Sequence, residues 1–284
     1  MKAYTGIYSI RIMCRVLMIS VSRYYAWLSG KPTNRAQQDL ILGALVKAAH
    51  IKTRETYGVE RLYAELVDSG VEITKYKVQS LRRKLGLRCK QPKRFKITTN
   101  SNHDKAIARN LLQQEFSVER PNQAWSSDIT YIWTAEGWQY LAGIKDLYSR
   151  EIVGSAISPR MTTALCLVAL KMAIRQRRPA AGLIVHSDRG SQYCSNAYRE
   201  YLDRYHLVCS MSRKRNCYDN APIESFWGSL KNELIHQTHY TTREQASGEI
   251  VEWIEIFYNR VRRHTKLGNI SPAQAFQNYI RKAA

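Results

Sequence analysis

The sequence predicts an α/β protein: a mixed-sheet core preceded by an all-α region containing a helix-turn-helix. Three observations predict it. Apolar residues before Pro121 recur at helical spacing, whereas three short strand-like runs follow it at once. Beyond those runs, helix and strand patterns alternate, giving βββ-α-β-α-β-α, the order of a mixed sheet whose first three strands are antiparallel. Charge divides the chain in the same place: residues 1–120 hold 23 basic and 9 acidic side chains, residues 121–284 hold 21 and 14.

The 284 residues carry 44 Lys and Arg against 23 Asp and Glu, a net +21. That excess predicts a polyanionic partner, nucleic acid ahead of a membrane surface. The most apolar helical stretch, Ala164–Ile174, is interrupted by Lys171 and is too short to span a bilayer. Cys14, Cys89, Cys166, Cys194, Cys209 and Cys217 are scattered without a CxxC pair or zinc spacing, so they read as reduced thiols of a soluble cytoplasmic protein.

Taken in order, Tyr8–Leu28 reads as two short helices, with Ile12, Met13, Val16 and Leu17 on one apolar face and Ser20 or Ser22 capping the second. Either a small helix-turn-helix or an ordinary helical hairpin fits. Lys31–Asn34 reads as a linker, and Gln37–His50 as a third helix. A helix from about Val59 to Val67 stops at Gly70; Thr74 caps another, Lys75–Leu85, which ends at Gly86. This helix, turn and basic helix form the pattern whose second helix enters a DNA groove. Residues 75–96 hold ten Lys or Arg and no acid, with Arg82, Arg83 and Lys84 at the centre. A solvated face is the plainer reading of such a run; its place after the helix-turn-helix pattern favours DNA. Residues 91–102 read as a basic arm, and His103–Phe116 as one more helix. Four segments result: a helical hairpin at 1–33, a DNA-binding region with its arm at 34–102, a connecting helix at 103–120, and a core with C-terminal helices at 121–284.

In the core, Ala124–Tyr131, Trp138–Lys145 and Arg150–Ile157 are the three strands of a meander. A helix follows over about Thr162–Arg177. The run at 182–186 is a buried-strand type; Ser195–His206 is helical and Leu207–Met211 strand-like. Pro222 suits a helix's first turn, and Ile223, Phe226, Trp227, Leu230 and Leu234 then form one apolar stripe. Glu224, Gly228 and Lys231 form a second stripe, with Glu224 and Lys231 about 10 Å apart along the axis. Thr241 and Glu244 make a capping-box pattern before a helix reaching about Asn259, on which Trp253, Ile256 and Phe257 face the core. Ser271–Gln274 makes another. Between them Arg260, Arg262, Arg263, His264 and Lys266 form a second basic patch placed on DNA.

Three carboxylates stand out by position. Asp128 lies inside the first strand, where a charge is costly unless paired or metal-bound. Asp188 directly follows a buried strand, where open α/β sheets place their sites. Glu224 starts a helix. Together they suit an oxygen cage for two Mg²⁺ ions, which can activate an attacking oxygen and stabilise a leaving one at phosphorus. Helix caps, buried ion pairs and surface acids suit the same positions.

In the segments WSSDITYI, GWQYLAGIKDLYSREIVGSAIS, IVHSDRGSQY, SRKRNCYDNAPIESFWGSLKNEL and YNRVRRHTKLGNISPAQAF, in that order, the chain resembles the OrfB-type transposases of bacterial insertion sequences. These belong to the retroviral-integrase superfamily with a ribonuclease-H-like core, a DDE transposase group. The pattern YGVERLYAELVDSG…KVQSLRRKLGL resembles the helix-turn-helix ahead of that core. The resemblance implies an acidic triad of Asp128, Asp188 and Glu224, catalytic and metal-holding. Asp188 and Glu224 have 35 residues between them, and Lys231, seven beyond Glu224, would contact phosphate. It also implies Mg²⁺ (two ions, with Mn²⁺ substituting), 3′-end nicking and strand transfer, and double-stranded DNA as partner. At least a homodimer and an upstream helix-turn-helix partner or frameshift fusion follow too, in the bacterial cytoplasm at the nucleoid. His186 and Gln192 flank Asp188 and orient ligands or DNA, or His186 is a hydrogen-bonded structural histidine. Arg215 departs from the usual glycine of its motif, and Ser155 from the usual aromatic of its strand. The rival reading is a catalytically silent DNA-binding regulator of transposition; a nuclease that cleaves without joining would share the site.

Overall fold

The computed structural model describes residues 1–30, 32–90, 107–213 and 216–283. They fall in two compact units, Met1–Arg88 and Cys89–Ala284.

The first unit is all helix: α1 (Ile10–Val16), α2 (Val21–Ser29), α3 (Asn34–Lys52), α4 (Val59–Asp68) and α5 (Lys75–Lys84). Ser20, not Ser22, caps α2, accepting from Arg23 N. The apolar face expected on the first hairpin is not a core: Ile12, Val16 and Leu17 are exposed, and only Cys14 and Tyr24 are buried there. The packed centre is Val46, Tyr57, Leu62, Leu66, Val78 and Leu81, shared by α3, α4 and α5. Thr74 caps α5 through Lys77 N, and Gly86 closes it with φ 65°. The helix-turn-helix pattern is therefore folded where expected. The basic arm at 91–102 lies outside the described residues.

The second unit is built on a five-stranded sheet ordered β3-β2-β1-β4-β5: β1 (Ala124–Thr134), β2 (Gly137–Asp146), β3 (Ile152–Ser158), β4 (Ile184–Ser187) and β5 (Val208–Met211). The first three are antiparallel, and β4 and β5 run parallel to β1. The meander is longer than expected, since β1 runs on to Thr134 before a two-residue turn. α6 (Thr163–Arg177) and α7 (Asn196–Arg204) pack with Trp125, Ala142, Ile144, Val153 and Val185 in one core. α8 (Ala221–Glu233) contributes Ile223, Phe226, Trp227 and Leu230 to a second core with Ile132, Leu141 and Ile152. The sheet is thus covered on both faces, as a sheet with parallel strands requires.

Two expectations fail. No helix forms over 107–116: Gln113 and Gln114 have φ of 48° and 69°, and the chain instead follows β5, with Leu111 N donating to Ser210 Oγ at 2.9 Å and Met211 N to Arg109 O at 3.3 Å. The sheet edge supplies the hydrogen bonds that a helix would have made within itself. The C-terminal helix also changes character: α9 (Arg243–Glu252) passes into a π-helix over Trp253–Val261. Its wider i→i+5 turn buries Trp253, Ile254, Phe257 and Tyr258 and leaves Ile256 exposed. The cap of α9 is Thr242, with Gln245 answering, one residue later than predicted. α10 (Pro272–Ala283) closes the unit. No helix among the described residues is long and apolar enough to cross a membrane.

Candidate active site

Asp128 is half-buried in β1, opposite Gly143 of β2. Trp227 of α8 donates its indole Nε1–H to Asp128 Oδ2 at 3.0 Å. The ring reaches there because Gly143 has no side chain: a Cβ on it would stand 2.7 Å from Trp227 Cη2. The strand register, the glycine and the helix thus aim one carboxylate. Ser155 sits across from Gly143 on β3, in line with Asp128.

Asp188 follows β4, whose His186 pairs with Ser126 of β1, so it emerges beside the strand that carries Asp128. Its Oδ1 accepts from Gly190 N at 2.8 Å, and a Cβ on Gly190 would stand 2.9 Å from that oxygen. Burial, then the charge of Asp188, pushes the Asp128 carboxyl up to about 8; the Ile129 amide and Trp227 oppose this, and Glu224 adds a smaller push in the same direction. Glu224 lies exposed in the first turn of α8, its carboxyl raised by partial burial.

α8 is registered against β1 by Asn220. Its Oδ1 accepts from Ser126 Oγ at 2.6 Å, and its Nδ2 donates to Ser127 O at 3.2 Å. One amide therefore ties the residue before Asp128 to the turn that launches Glu224. Lys145, buried, anchors the same turn through Pro222 O at 2.7 Å.

Asp219 anchors the loop before α8. It is buried and accepts from Arg213 N, Nε and Nη2 at 2.7, 3.1 and 2.9 Å, and from Asn110 and Gln114 at 2.9 and 2.8 Å. Arg213 above all holds this carboxyl well below the usual range. Asn220, Asp219 and the indole of Trp227 were not picked out from sequence, where they read as turn formers and as an apolar stripe.

The remaining predicted residues divide. Lys231 is 6 % exposed, its ammonium 4.7 Å from the Tyr131 ring centroid, and burial lowers it to about 8 against the opposing charge of Asp128. The phosphate contact expected of it would therefore be made from a largely covered position. His186 is fully buried, with Nδ1 2.8 Å from Ser210 Oγ and Nε2 3.2 Å from Ser212 Oγ; burial pushes it down to about 4. It is a neutral, hydrogen-bonded histidine. Gln192 donates to Met161 O at 3.3 Å.

Arg262 is buried, with Nε 2.9 Å and Nη2 2.6 Å from the Glu233 carboxylate. Arg263 donates to Asn269 O at 2.8 Å, and the His264 ring stands edge-on to Tyr258 at 5.0 Å. In the first unit Arg83 and Lys84 are exposed and Arg82 is half-buried. Arg215 lies outside the described residues.

Among the described residues no three His, Cys, Asp or Glu side chains are gathered closely enough to hold an ion as they stand. The donor set nevertheless fits a hard divalent cation. It is all oxygen, and the repulsion that Asp128 feels from Asp188 is what a cation would relieve.

Comparison with known proteins agrees with this architecture. The Integrase core domain family matches residues 118–217 and again 205–272, and the HTH-like domain family matches 36–95. The chain is 53% identical over 272 residues to the "Insertion element IS600 uncharacterized 31 kDa protein" of Shigella sonnei, covering 96% of this chain and 100% of that one. It is 42% identical over 273 residues to "Transposase InsF for insertion sequence IS3A" of Escherichia coli (strain K12), covering 95% and 94%. A solved chain of the simian T-cell lymphotropic virus intasome in complex with PP2A regulatory subunit B56 gamma is similar at TM-score 0.48 and 16% identity, over 82% of this chain and 74% of that one.

Proposed function

This chain belongs to the insertion-sequence transposases with an integrase core, DNA polynucleotidyl transferases, and we propose that Asp128, Asp188 and Glu224 are its reacting site. The observation that carries this reading is the push of Asp188's charge on Asp128, with Trp227 aiming the latter. Each accepts a hydrogen bond, Asp128 from Trp227 and Asp188 from Gly190, yet the two charges still repel.

The three carboxylates would hold divalent cations, Mg²⁺ or Mn²⁺, two of them in the reading the resemblance gives. Bound there, the metal supplies Lewis-acid activation of the attacking oxygen and charge stabilisation of the leaving one. Asp128 is kept in one orientation by Trp227, so its oxygen is presented without a rotamer search. Asn220 holds the start of α8, and with it Glu224, at a set height on β1. In the first reaction a water oxygen bonds to phosphorus and the P–O3′ bond breaks, leaving a 3′-OH and a 5′-phosphate. In the second that 3′-OH attacks another phosphodiester and displaces its 3′ oxygen. Lys231, lying under Tyr131, would steady the site's negative charge from within the fold and not as a solvent-facing phosphate clamp.

The helix-turn-helix, with exposed Arg83 and Lys84 on α5, would hold the element ends. A dimer or larger homo-oligomer would bring two ends together, with an upstream partner or fusion adding recognition, in the cytoplasm at the nucleoid. The test is a labelled duplex carrying the native element end, incubated with the purified chain and Mg²⁺ or Mn²⁺, with Asp188→Asn alongside. Nicked and joined products from the wild type alone support the reading. Tight binding without chemistry, even with the upstream partner added, would make the chain a silent regulator.

A further inference from the structure

The cations predicted to grip DNA at 262–264 are engaged inside the fold: Arg262 by Glu233, Arg263 by a carbonyl, His264 by an aromatic face. Lys266 of the same predicted patch instead joins two cations from elsewhere in the unit. A cleft of about 410 Å³ lies beside α10, lined by Arg150, Lys266 and Lys282 together with Tyr148, Tyr279 and Asn278. Among the described residues no carboxylate lines it. Among the described residues none of its three cations takes part in a salt bridge with a carboxylate. The acid nearest in sequence, Glu151, is paired with Arg177, and Asp146, whose charge acts on Arg150, accepts from Asn122 N at 2.7 Å and from Ser149 N and Oγ at 2.7 and 2.9 Å.

A second observation points the same way. Lys145, buried behind this region, is held well below the usual lysine range by burial first and then by the charges of Arg150, Arg262 and Lys266. Among the described residues, of those three neighbours only Arg262 is in a salt bridge, while Arg150 feels the charge of Asp146 at longer range. Cations that outnumber their counter-charges repel one another, and an anion in the cleft would relieve them. Its hydroxyl and amide groups are the types that contact phosphate oxygens alongside Lys and Arg.

We infer that this cleft is a DNA-backbone site, in which Lys266, Lys282 and Arg150 hold the phosphates of the duplex on the flank of the reacting one. It deepens the transposase reading and rests on it. The placement fits. Leu147, also on the cleft wall, donates its N–H to Ala124 O at 3.1 Å. Ala124 is four residues before Asp128 on β1, roughly 13 Å at ~3.3 Å per residue. The cleft wall is thus tied to the strand that carries Asp128.

The test is the double variant Lys266→Gln/Lys282→Gln of the full chain, leaving Arg150, whose carbonyl accepts from Tyr258, in place. Duplex affinity is measured from low to moderate salt, with element-end and unrelated sequences. Two lost phosphate contacts lower the slope of log K against log[salt] by about 1.8, and weaken both sequences alike. The unfolding midpoint without DNA stays level or rises. Backbone footprinting loses protection on the flank of the scissile phosphate. An unchanged slope in a variant beside a salt-sensitive wild type overturns the cleft alone. A wild type whose duplex affinity ignores salt sinks the transposase reading and the cleft with it.

Discussion

Asp128 and Asp219 are both carboxylates withdrawn from solvent in the same unit, and their surroundings treat them in opposite ways. Asp219 receives five hydrogen bonds, three from Arg213, and is held well below the ordinary range. Asp128 receives one indole N–H and the Ile129 amide, faces Asp188, and is pushed up to about 8. The first is a charge the fold uses to hold itself together. The second is a carboxylate the fold orients but under-compensates, with two donors and the charge of Lys231 set against burial and Asp188. The difference teaches where to look for chemistry: burial alone marks neither, and the balance of partners separates them.

The largest effects come from neutralising each carboxylate in turn. Asp219→Asn loses charge-assisted bonds and costs about 2–3 kcal/mol of stability, read by urea unfolding. Asp128→Asn leaves the metal-free midpoint level or higher, because the removed charge was already disfavoured, yet nicking falls more than ~100-fold, beyond the loss typical of an outer partner. If both variants unfold alike, the contrast is broken.

His186 sharpens it with pH. Its native value is about 4 against 6.5, so the unfolded chain binds the extra proton. The neutral buried ring therefore contributes stability that is fully present above pH 6.5 and is lost as pH falls from 6.5 towards 4, about 3 kcal/mol in total. The measurement is the pH slope of unfolding free energy in the wild type minus that in His186→Asn; equal slopes would refute it.

Gly143→Ala drives a methyl into the Trp227 ring and costs ~1–3 kcal/mol, with weakened divalent-ion binding because the indole must move. The smallest effect is Trp227→Phe, which removes the N–H and keeps an aromatic ring. Unfolding changes little, while Mn²⁺ affinity falls roughly tenfold, the low end for an outer hydrogen-bond partner. Unchanged Mn²⁺ affinity would show that the Trp227 bond is packing geometry only.

Much of this was legible in the sequence because local chemistry governs it. Thr74 and Gly86 bracket α5 by capping, and the meander and parallel strands follow from short alternating and apolar runs. The two-ended role of Trp227 was not legible: stripe reading assigns it to the core, where its ring indeed lies, and says nothing of the indole N–H. Lys231 shares a stripe with Glu224 in the sequence, and nothing there shows that Tyr131, far off in sequence, covers it. The helix expected over 103–116 fails over its described part because β5 offers competing partners. Arg262 reads as part of a surface patch because its partner Glu233 lies on another helix. In each case the deciding contact is long-range.

The measurement that tests the central claim most directly is Mn²⁺ binding to the DNA-free protein by isothermal titration, for the wild type, Asp128→Asn and Glu224→Gln. The account predicts saturable binding by the wild type and a loss of more than ~100-fold in Asp128→Asn, with Glu224→Gln weakened by at least tenfold. Wild-type affinity retained by both variants would contradict it, and the under-compensated carboxylate on β1 would then need another purpose.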